Sequence, residues 1–284
     1  MSQITKESKD THKEGGSEVS CMYPLRNPMK FNIVDRSDPN SVQIAAYIRS
    51  QCEKRGWIYD PEQPEIILCI GGDGTLLRAI HQYLEQLDRI AFIGIHTGTL
   101  GFFTDYTQQE IEMFLEDIEK GEPDIEQSPL LAMKLENGET IYSLNEMRIE
   151  SFSKTLILDI YLDHEFFERA TGSGICVSSQ AGSTAVNRAL NGAVIDSGLE
   201  VMQLCEIMPI SHKNHHSLRN PYIMNTNRVI TILSKELGEA HVCYDHLERS
   251  LAGNERVEIW TSEKKVRFAR YRTYSYLKRL KNLY

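Results

Sequence analysis

Five consecutive apolar residues, Ile66 to Ile70, run directly into Gly71-Gly72-Asp73-Gly74-Thr75, and an amphipathic segment follows without a break. An uninterrupted apolar run of this length marks a strand covered on both faces, as in a parallel sheet. In the next segment Leu76, Leu77, Ile80, Tyr83, Leu84 and Leu87 share one face of a 3.6-residue repeat, while Arg78, Gln82, Glu85 and Gln86 fall elsewhere. Strand, glycine turn and helix together present backbone N–H groups and a helix N-terminus to phosphate. The turn is not a Walker loop, which needs Lys-Ser/Thr after its last glycine, nor the dinucleotide fingerprint Gly-x-Gly-x-x-Gly. Asp73 stands in its middle, where a carboxylate repels phosphate unless it has a task. One task is chemical: to accept the proton of an attacking hydroxyl, or hold that hydroxyl in line, while a divalent cation neutralises the phosphate charge. The other is to N-cap the helix, a position Asp favours. Spacing alone leaves both open.

The same alternation surrounds this motif. Phe31 to Val34 is a short strand, Asp38-Pro39-Asn40 a turn, and Val42, Ile44, Ala45, Ile48 and Cys52 fall at helical spacing. Ile90 to Ile95 forms another buried strand, ending in His96-Thr97-Gly98-Thr99-Leu100-Gly101, and Ile111 to Ile118 reads as a helix. Residues 30–124 are therefore expected to be an α/β domain. From 125 to 262 strands replace long helices: Leu130–Leu135, Thr140–Leu144, Met147–Phe152, Thr155–Leu162, Gly174–Ser179, Arg228–Ser234, His241–Tyr244 and Arg256–Trp260, with a loop or short helix over 181–190. Lys265–Ala269 reads as one more strand. Residues 1–29 are expected to be a disordered polar extension. Residues 263–284 carry eight Lys or Arg against one acidic residue, interleaved with tyrosines. They are expected to return to the α/β domain, and the plainest reading of their charge is a solvated or interface-forming face.

A net charge of −9 argues against broad nucleic-acid binding. No stretch approaches the roughly 18 apolar residues of a membrane span, and residues 1–20 lack the apolar core of a secretory signal. The six cysteines are scattered singly, without Cys-x-x-Cys or metal-ligand spacing, which fits reduced thiols in a cytoplasmic protein. Cys69, Cys176 and Cys243 lie in apolar runs and read as small buried hydrophobes. His212, His215 and His216 share a polar loop and read as exposed, so no protein-built metal site is expected. Either His81 or His96 could touch phosphate.

Gly71 to Thr75 resembles the motif of a superfamily holding the NAD kinases, diacylglycerol and sphingosine kinases and phosphofructokinases. Three further stretches narrow the resemblance to the NAD kinases: Ile93 to Phe102 as the second loop, Leu144-Asn145-Glu146 as the Asn-Glu motif, and Gly182-Ser183-Thr184-Ala185 as the segment that wraps the dinucleotide. Order and spacing agree from about Pro64 to Tyr271. The resemblance implies a Rossmann-like α/β domain with a parallel sheet, followed by a β-rich domain folded as a β-sandwich. It implies phosphoryl transfer from ATP or polyphosphate, with Mg2+, to the adenosine-ribose 2′-hydroxyl of NAD. Asp73 would then activate the hydroxyl, with Gly72, Gly74, Thr75 and Phe102 at the bound nucleotide. Asn145 and Glu146 would hold ribose hydroxyls or the adenine side, and Thr184 and Ala185 would approach the adenine within a segment holding Ala181, Val186, Asn187, Arg188 and Ala189. Thr171 and Ser173 would stand near the nicotinamide end, and Asp245 would enter its own or a neighbouring subunit's site. Homodimers or homotetramers joined through the β domains are implied as well.

Four departures stand out. Thr171-Gly172-Ser173-Gly174 replaces the usual Arg-Gly-Asp-Gly, so a serine takes the place of a carboxylate. Ser179-Gln180-Ala181 lacks the usual proline, and Val186 replaces a tyrosine whose stacking face is worth roughly 0.5–1.5 kcal/mol. Asn191-Gly192 replaces Gly-Gly, and His212 to His216 replace a Leu-Asn-Asn-Arg stretch. Two other functions remain open on sequence: a lipid or sugar kinase of the same superfamily, and a dinucleotide-binding paralogue that has lost turnover. Asn145-Glu146 and Gly182 to Ala185 tell against the first, and only Ser173 and Val186 favour the second.

Overall fold

The computed structural model describes residues 28–98, 101–211, 217–218 and 220–281. The apolar run forms β3 (Ile66–Ile70), every residue of it buried. It lies between β1 (Lys30–Asp35) and β4 (Ala91–His96), with β2 (Ile58–Tyr59) and β5 (Thr104–Thr107) outside them, all parallel. Strand side chains alternate between faces, and the two faces bury different helices. Phe31, Ile66, Leu68 and Ile95 pack with α1 (Pro39–Lys54) and α3 (Ile111–Lys120). Ile67, Cys69 and Phe92 pack with Leu76, Leu77 and Ile80 of α2 (Asp73–Gln82). Chain leaving β1 turns to one face and chain leaving β3 to the other, so a crevice opens at the carboxyl ends of these strands. The helix expected to reach Leu87 stops at Gln82, where Tyr83 turns inward and accepts a hydrogen bond from Asn32 Nδ2 at 2.6 Å.

The second half begins with β6 (Asp124–Lys134), β7 (Thr140–Ser143), β8 (Glu146–Glu150), β9 (Leu156–Leu162), β10 (Glu165–Gly172) and β11 (Gly174–Ser179). A short α4 (Val186–Ala189) precedes β12 (Val201–Ile207), β13 (Tyr222–Asn225), β14 (Ile230–Leu233), β15 (His241–Tyr244), β16 (Leu247–Ser250), β17 (Arg256–Arg270) and α5 (Tyr276–Leu280). An antiparallel sheet ordered β13-β12-β11-β8-β15-β16 faces the strands β10-β9-β14-β17-β6-β7. Met147, Ile149, Ile175, Val177 and Leu204 from one layer meet Leu131, Met133, Leu158, Ile160 and Ile259 from the other. This is the expected β-sandwich.

Two strands expected over 256–260 and 265–269 are one fifteen-residue strand, β17, irregular only between Thr261 and Lys265. The polar Ser262-Glu263-Lys264 that broke the apolar pattern is the bulge. The first half of β17 pairs with β14, the second half runs parallel to β4, and β6 pairs antiparallel with both halves. A single eleven-stranded sheet therefore passes through both domains.

The basic chain end is solvated only in part, at Lys265, Lys278 and Lys281. Arg267, Arg270 and Arg279 are 4%, 6% and 6% exposed. Arg270 holds Asp105 at 2.7 Å and Glu126 at 2.8 Å, and Arg272 holds Glu110 at 2.9 Å. Carboxylates from β5, β6 and the turn before α3 supply the countercharge that local composition could not reveal. No helix among the described residues is long and apolar enough to cross a membrane. The five described cysteines are free and buried, and burial pushes the Cys205 and Cys243 thiols up to about 11, which makes them poor nucleophiles.

Candidate functional site

Gly72, not Asp73, occupies the N-cap of α2, and no side chain caps the helix there. The capping role is thereby excluded. Asp73 reaches instead to the second glycine loop: Phe102 N–H donates to Oδ2 at 2.8 Å and Phe103 N–H to Oδ1 at 3.1 Å. An ionised carboxylate offers about four lone-pair positions, so about two remain for a ligand. A Cβ on Gly101 would stand 2.2 Å from Asp73 Oδ1, so any larger residue there would displace the carboxylate. Gly72 and Gly74 have nothing within 4 Å of a Cβ position, an open approach to backbone amides. Thr75 is buried against Gly71, whose absent Cβ would meet its Oγ1. At the end of β4, His96 is also buried, and Gly98 N–H donates to its Nδ1 at 2.8 Å. Thr99 and Leu100 of the same loop lie outside the described residues.

The Asn-Glu motif joins β7 to β8 and is held by Asp245, which adopts a left-handed backbone (φ 51°) in the turn after β15. Ser143 Oγ, Leu144 N–H and Asn145 N–H donate to its carboxylate at 2.8, 2.9 and 2.8 Å. His81 Nε2 of α2 stands 2.8 Å from Oδ2. Within its own chain Asp245 thus meets the Asn-Glu motif, and His81 meets this carboxylate. Asn145 Oδ1 and Glu146 Oε2 are buried without a partner among the described residues. Burial, and then the charge of Asp245, pushes the Glu146 carboxyl up to about 7. Near neutrality it can both donate and accept, which matches vicinal ribose hydroxyls.

The glycine-rich segment folds onto this motif. A Cβ on Gly182 would lie 2.1 Å from Asn145 O, so backbone meets backbone there. Ser179 Oγ donates to Leu144 O at 2.5 Å and accepts from Gly182 N–H at 3.1 Å. The Val186 backbone N–H lies near enough to favour the charged Glu146 carboxyl, which puts the start of α4 beside the motif. Ala181 packs with Phe103 and Leu144. Asn187, expected at the ligand, turns inward: its Nδ2 donates to Ser183 O and Ala193 O, and its Oδ1 accepts from Cys205. It shapes the segment. Arg188 is half-buried and Ala189 exposed on α4. Asn191 adopts a left-handed backbone (φ 61°), which accounts for an Asn standing where the resemblance calls for glycine.

Thr171 and Ser173 are not brought to Asp73. Ser173 precedes β11, whose other end, Ser179, touches the Asn-Glu motif, and a six-residue strand separates the two by roughly 20 Å. Around Ser173 lie the exposed apolar side chains of Phe152 (82%), Met208 (75%) and Ile210 (46%), with Ser173 O accepting from Ser151 N–H and Ser173 N–H donating to Ile207 O. His212, His215 and His216 lie outside the described residues. Residues that sequence reasoning missed come from the chain end: Tyr274 Oη donates to Phe102 O at 2.8 Å, and Tyr276 Oη donates to Ile195 O at 2.7 Å. Their interleaving with arginines was the available signal. Among the described residues no three His, Cys, Asp or Glu side chains form a metal-ligand group.

A glycine turn at a parallel-sheet crevice, an anchored carboxylate at its centre and a facing pair of unpartnered polar groups define a two-domain nucleotide-handling phosphotransferase. Comparison with known proteins specifies the class. The ATP-NAD kinase N-terminal domain family matches residues 9–123 and the ATP-NAD kinase C-terminal domain family matches residues 144–271. An NAD kinase of Lysinibacillus sphaericus (strain C3-41) is 35% identical over 256 residues, covering 89% of this chain and 97% of its own. That of Staphylococcus aureus (strain JH9) is 36% identical over 259 residues, covering 89% and 96%. Among solved structures, an NAD kinase from Archaeoglobus fulgidus in complex with ATP superposes with a TM-score of 0.70 at 23% identity, covering 90% of this chain and 97% of that one. Yeast NADH kinase complexed with NADH gives 0.75 at 16%, covering 91% and 87%. The chain belongs to the NAD kinase family.

Proposed function

We propose that this protein transfers the terminal phosphoryl group of ATP or polyphosphate to the adenosine-ribose 2′-hydroxyl of NAD, giving NADP. The observation that carries this reading is the pairing of an amide-anchored Asp73 with the unpartnered Asn145 Oδ1 and Glu146 Oε2. Asn145 and Glu146 take the ribose hydroxyls, and the backbone at Gly72 and Gly74 takes the phosphates. The hydroxyl oxygen then bonds to the terminal phosphorus as the bond to the bridging oxygen breaks. The hydroxyl proton passes to Asp73, and the shortened donor leaves with the bridging oxygen. Mg2+ would be carried by the donor's phosphates with several waters still bound and would neutralise phosphate charge, so the free lone pairs of Asp73 stay available to the hydroxyl proton.

The apolar surface around Ser173 supports a homodimer or homotetramer, in which Thr171 and Ser173 serve a second copy's site. The buried reduced thiols suit a cytoplasmic protein. The division at residue 125, with 263–284 rejoining the α/β domain, belongs to the same proposal, and the pairing of β17 with β4 favours it. The test is incubation of pure protein with ATP or polyphosphate, magnesium and NAD, followed by detection of NADP. Phosphorylation of a lipid or sugar instead of NAD, or NAD binding without turnover, would overturn it.

A further inference from the structure

Strand alternation puts the His96 ring on the same face of β4 as Phe92, the face that packs against α2. The ring is 3% exposed. Because Gly98 N–H donates to Nδ1, that nitrogen is the unprotonated one, and a neutral ring carries its hydrogen on Nε2. Nε2 is buried and has no partner among the described residues. His81 differs in this respect, its Nε2 being matched by Asp245 at 2.8 Å. Orphaned buried donors are uncommon in folded proteins, and one at a substrate site points to a ligand atom.

The place of the orphan identifies that atom. Gly71 N–H donates to Ile95 O at 2.9 Å, so His96 ends the strand beside the glycine turn. Asp73 stands near enough for its charge to favour the protonated ring, and Arg279 of α5 near enough to oppose it. Burial outweighs both and holds the imidazole pKa below its ordinary value. A neutral donor suits this position, since a cation there would make Asp73 a weaker base.

We propose that His96 is a catalytic residue, whose Nε2–H donates a hydrogen bond to a non-bridging oxygen of the phosphoryl group in transfer. This rests on the kinase reading above. No proton leaves the ring: the hydroxyl proton still goes to Asp73, and the bridging oxygen still departs with the shortened donor.

The test uses the full chain with His96→Leu and His96→Gln, the Gln amide being able to donate in place of Nε2. Loss of one such donor lowers kcat by roughly 10²–10³-fold, so His96→Leu should show a fall of that order while NAD affinity and Tm hold. His96→Gln should recover most of the rate. Wild-type kcat in His96→Leu, equal loss in both variants, or loss that follows NAD affinity or Tm would overturn the proposal. If His96→Leu fails to fold, 15N spectra of the wild-type ring with a non-hydrolysable ATP analogue decide: an Nε2 shift without an Nδ1 shift supports the assignment, and an unmoved Nε2 refutes it. A wild type that makes no NADP refutes the kinase reading, and the same spectra with tripolyphosphate then show whether Nε2 meets phosphate at all.

Discussion

The His81 ring of α2 and the Asp245 carboxylate of the β15–β16 turn meet at 2.8 Å, joining the α/β domain to the sandwich. Asp245 also fixes the backbone of Leu144 and Asn145, while α2 begins with Asp73. One buried acid therefore sets both the Asn145-Glu146 turn and the helix that begins with Asp73.

Asp245→Ala should be severely destabilising. Its side chain is fully buried, and removal strands Ser143 Oγ, two backbone N–H groups and His81. Breaking such a cluster costs roughly 3–5 kcal/mol, which lowers Tm by about 10 °C in a chain of this size. Thermal unfolding by calorimetry checks it, and a Tm within 2 °C of wild type, on the order of measurement scatter, would remove Asp245 from its organising role.

For Asp73→Asn the expected outcome combines two effects. General-base assistance is worth roughly 10²–10⁴-fold, so kcat should fall by at least about 10²-fold. The amide offers one acceptor to two N–H groups, so Phe102 or Phe103 loses its bond, a loss of about 1–3 kcal/mol. Steady-state kinetics and denaturant titration separate the two. Near wild-type turnover would leave the carboxylate as a loop anchor alone.

Gly101→Ala and Gly74→Ala should part company. The first puts a Cβ 2.2 Å from Asp73 Oδ1 and should abolish turnover by displacing the carboxylate. The second meets nothing in the free protein, and replacing glycine within a helix adds roughly 0.5–1 kcal/mol of stability. Its added methyl should nevertheless raise the KM for ATP. Equal behaviour of the two variants would argue that Gly74 does not face phosphate.

The contribution of Glu146 and Glu168 to stability should fall as pH rises from about 4.5 to about 7, against an opposite contribution from His96 and His246, whose burial lowers their pKa values. Burial pushes both Glu146 and Glu168 up to about 7, with the charges of Asp245 and Glu206 adding to it. In that window the folded chain holds protons that the unfolded chain has released, so each group's favourable contribution is complete below the unfolded pKa and gone above the folded one. Glu146→Gln should flatten its share of the slope in unfolding curves recorded across that range. An unchanged slope would show that Glu146 titrates normally.

Much of this architecture was legible because apolar spacing reports burial directly. Ile66 to Ile70 could only be an interior strand, and the glycine turn after it announced a phosphate crevice. Contacts between distant segments were not legible. Nothing near Asp73 says that Phe102 and Phe103 will donate to it, and the acids that bury Arg270 lie far from it in the chain. The continuity of β17 was hidden because a bulge tolerates three polar residues where a regular strand would not. The setting of Ser173 was not legible either: a motif gives order along the chain, not which end of a strand faces the cleft.

Because β6 and β17 run unbroken from one domain into the other, the two bodies share a beam rather than a tether. A ladder of hydrogen bonds resists swivelling, so widening of the cleft has to come from flexure, and the bulge between Thr261 and Lys265 is where such a beam is most compliant. Substrate entry should accordingly involve small-angle, elastic breathing that springs back, with no detached open form to be populated.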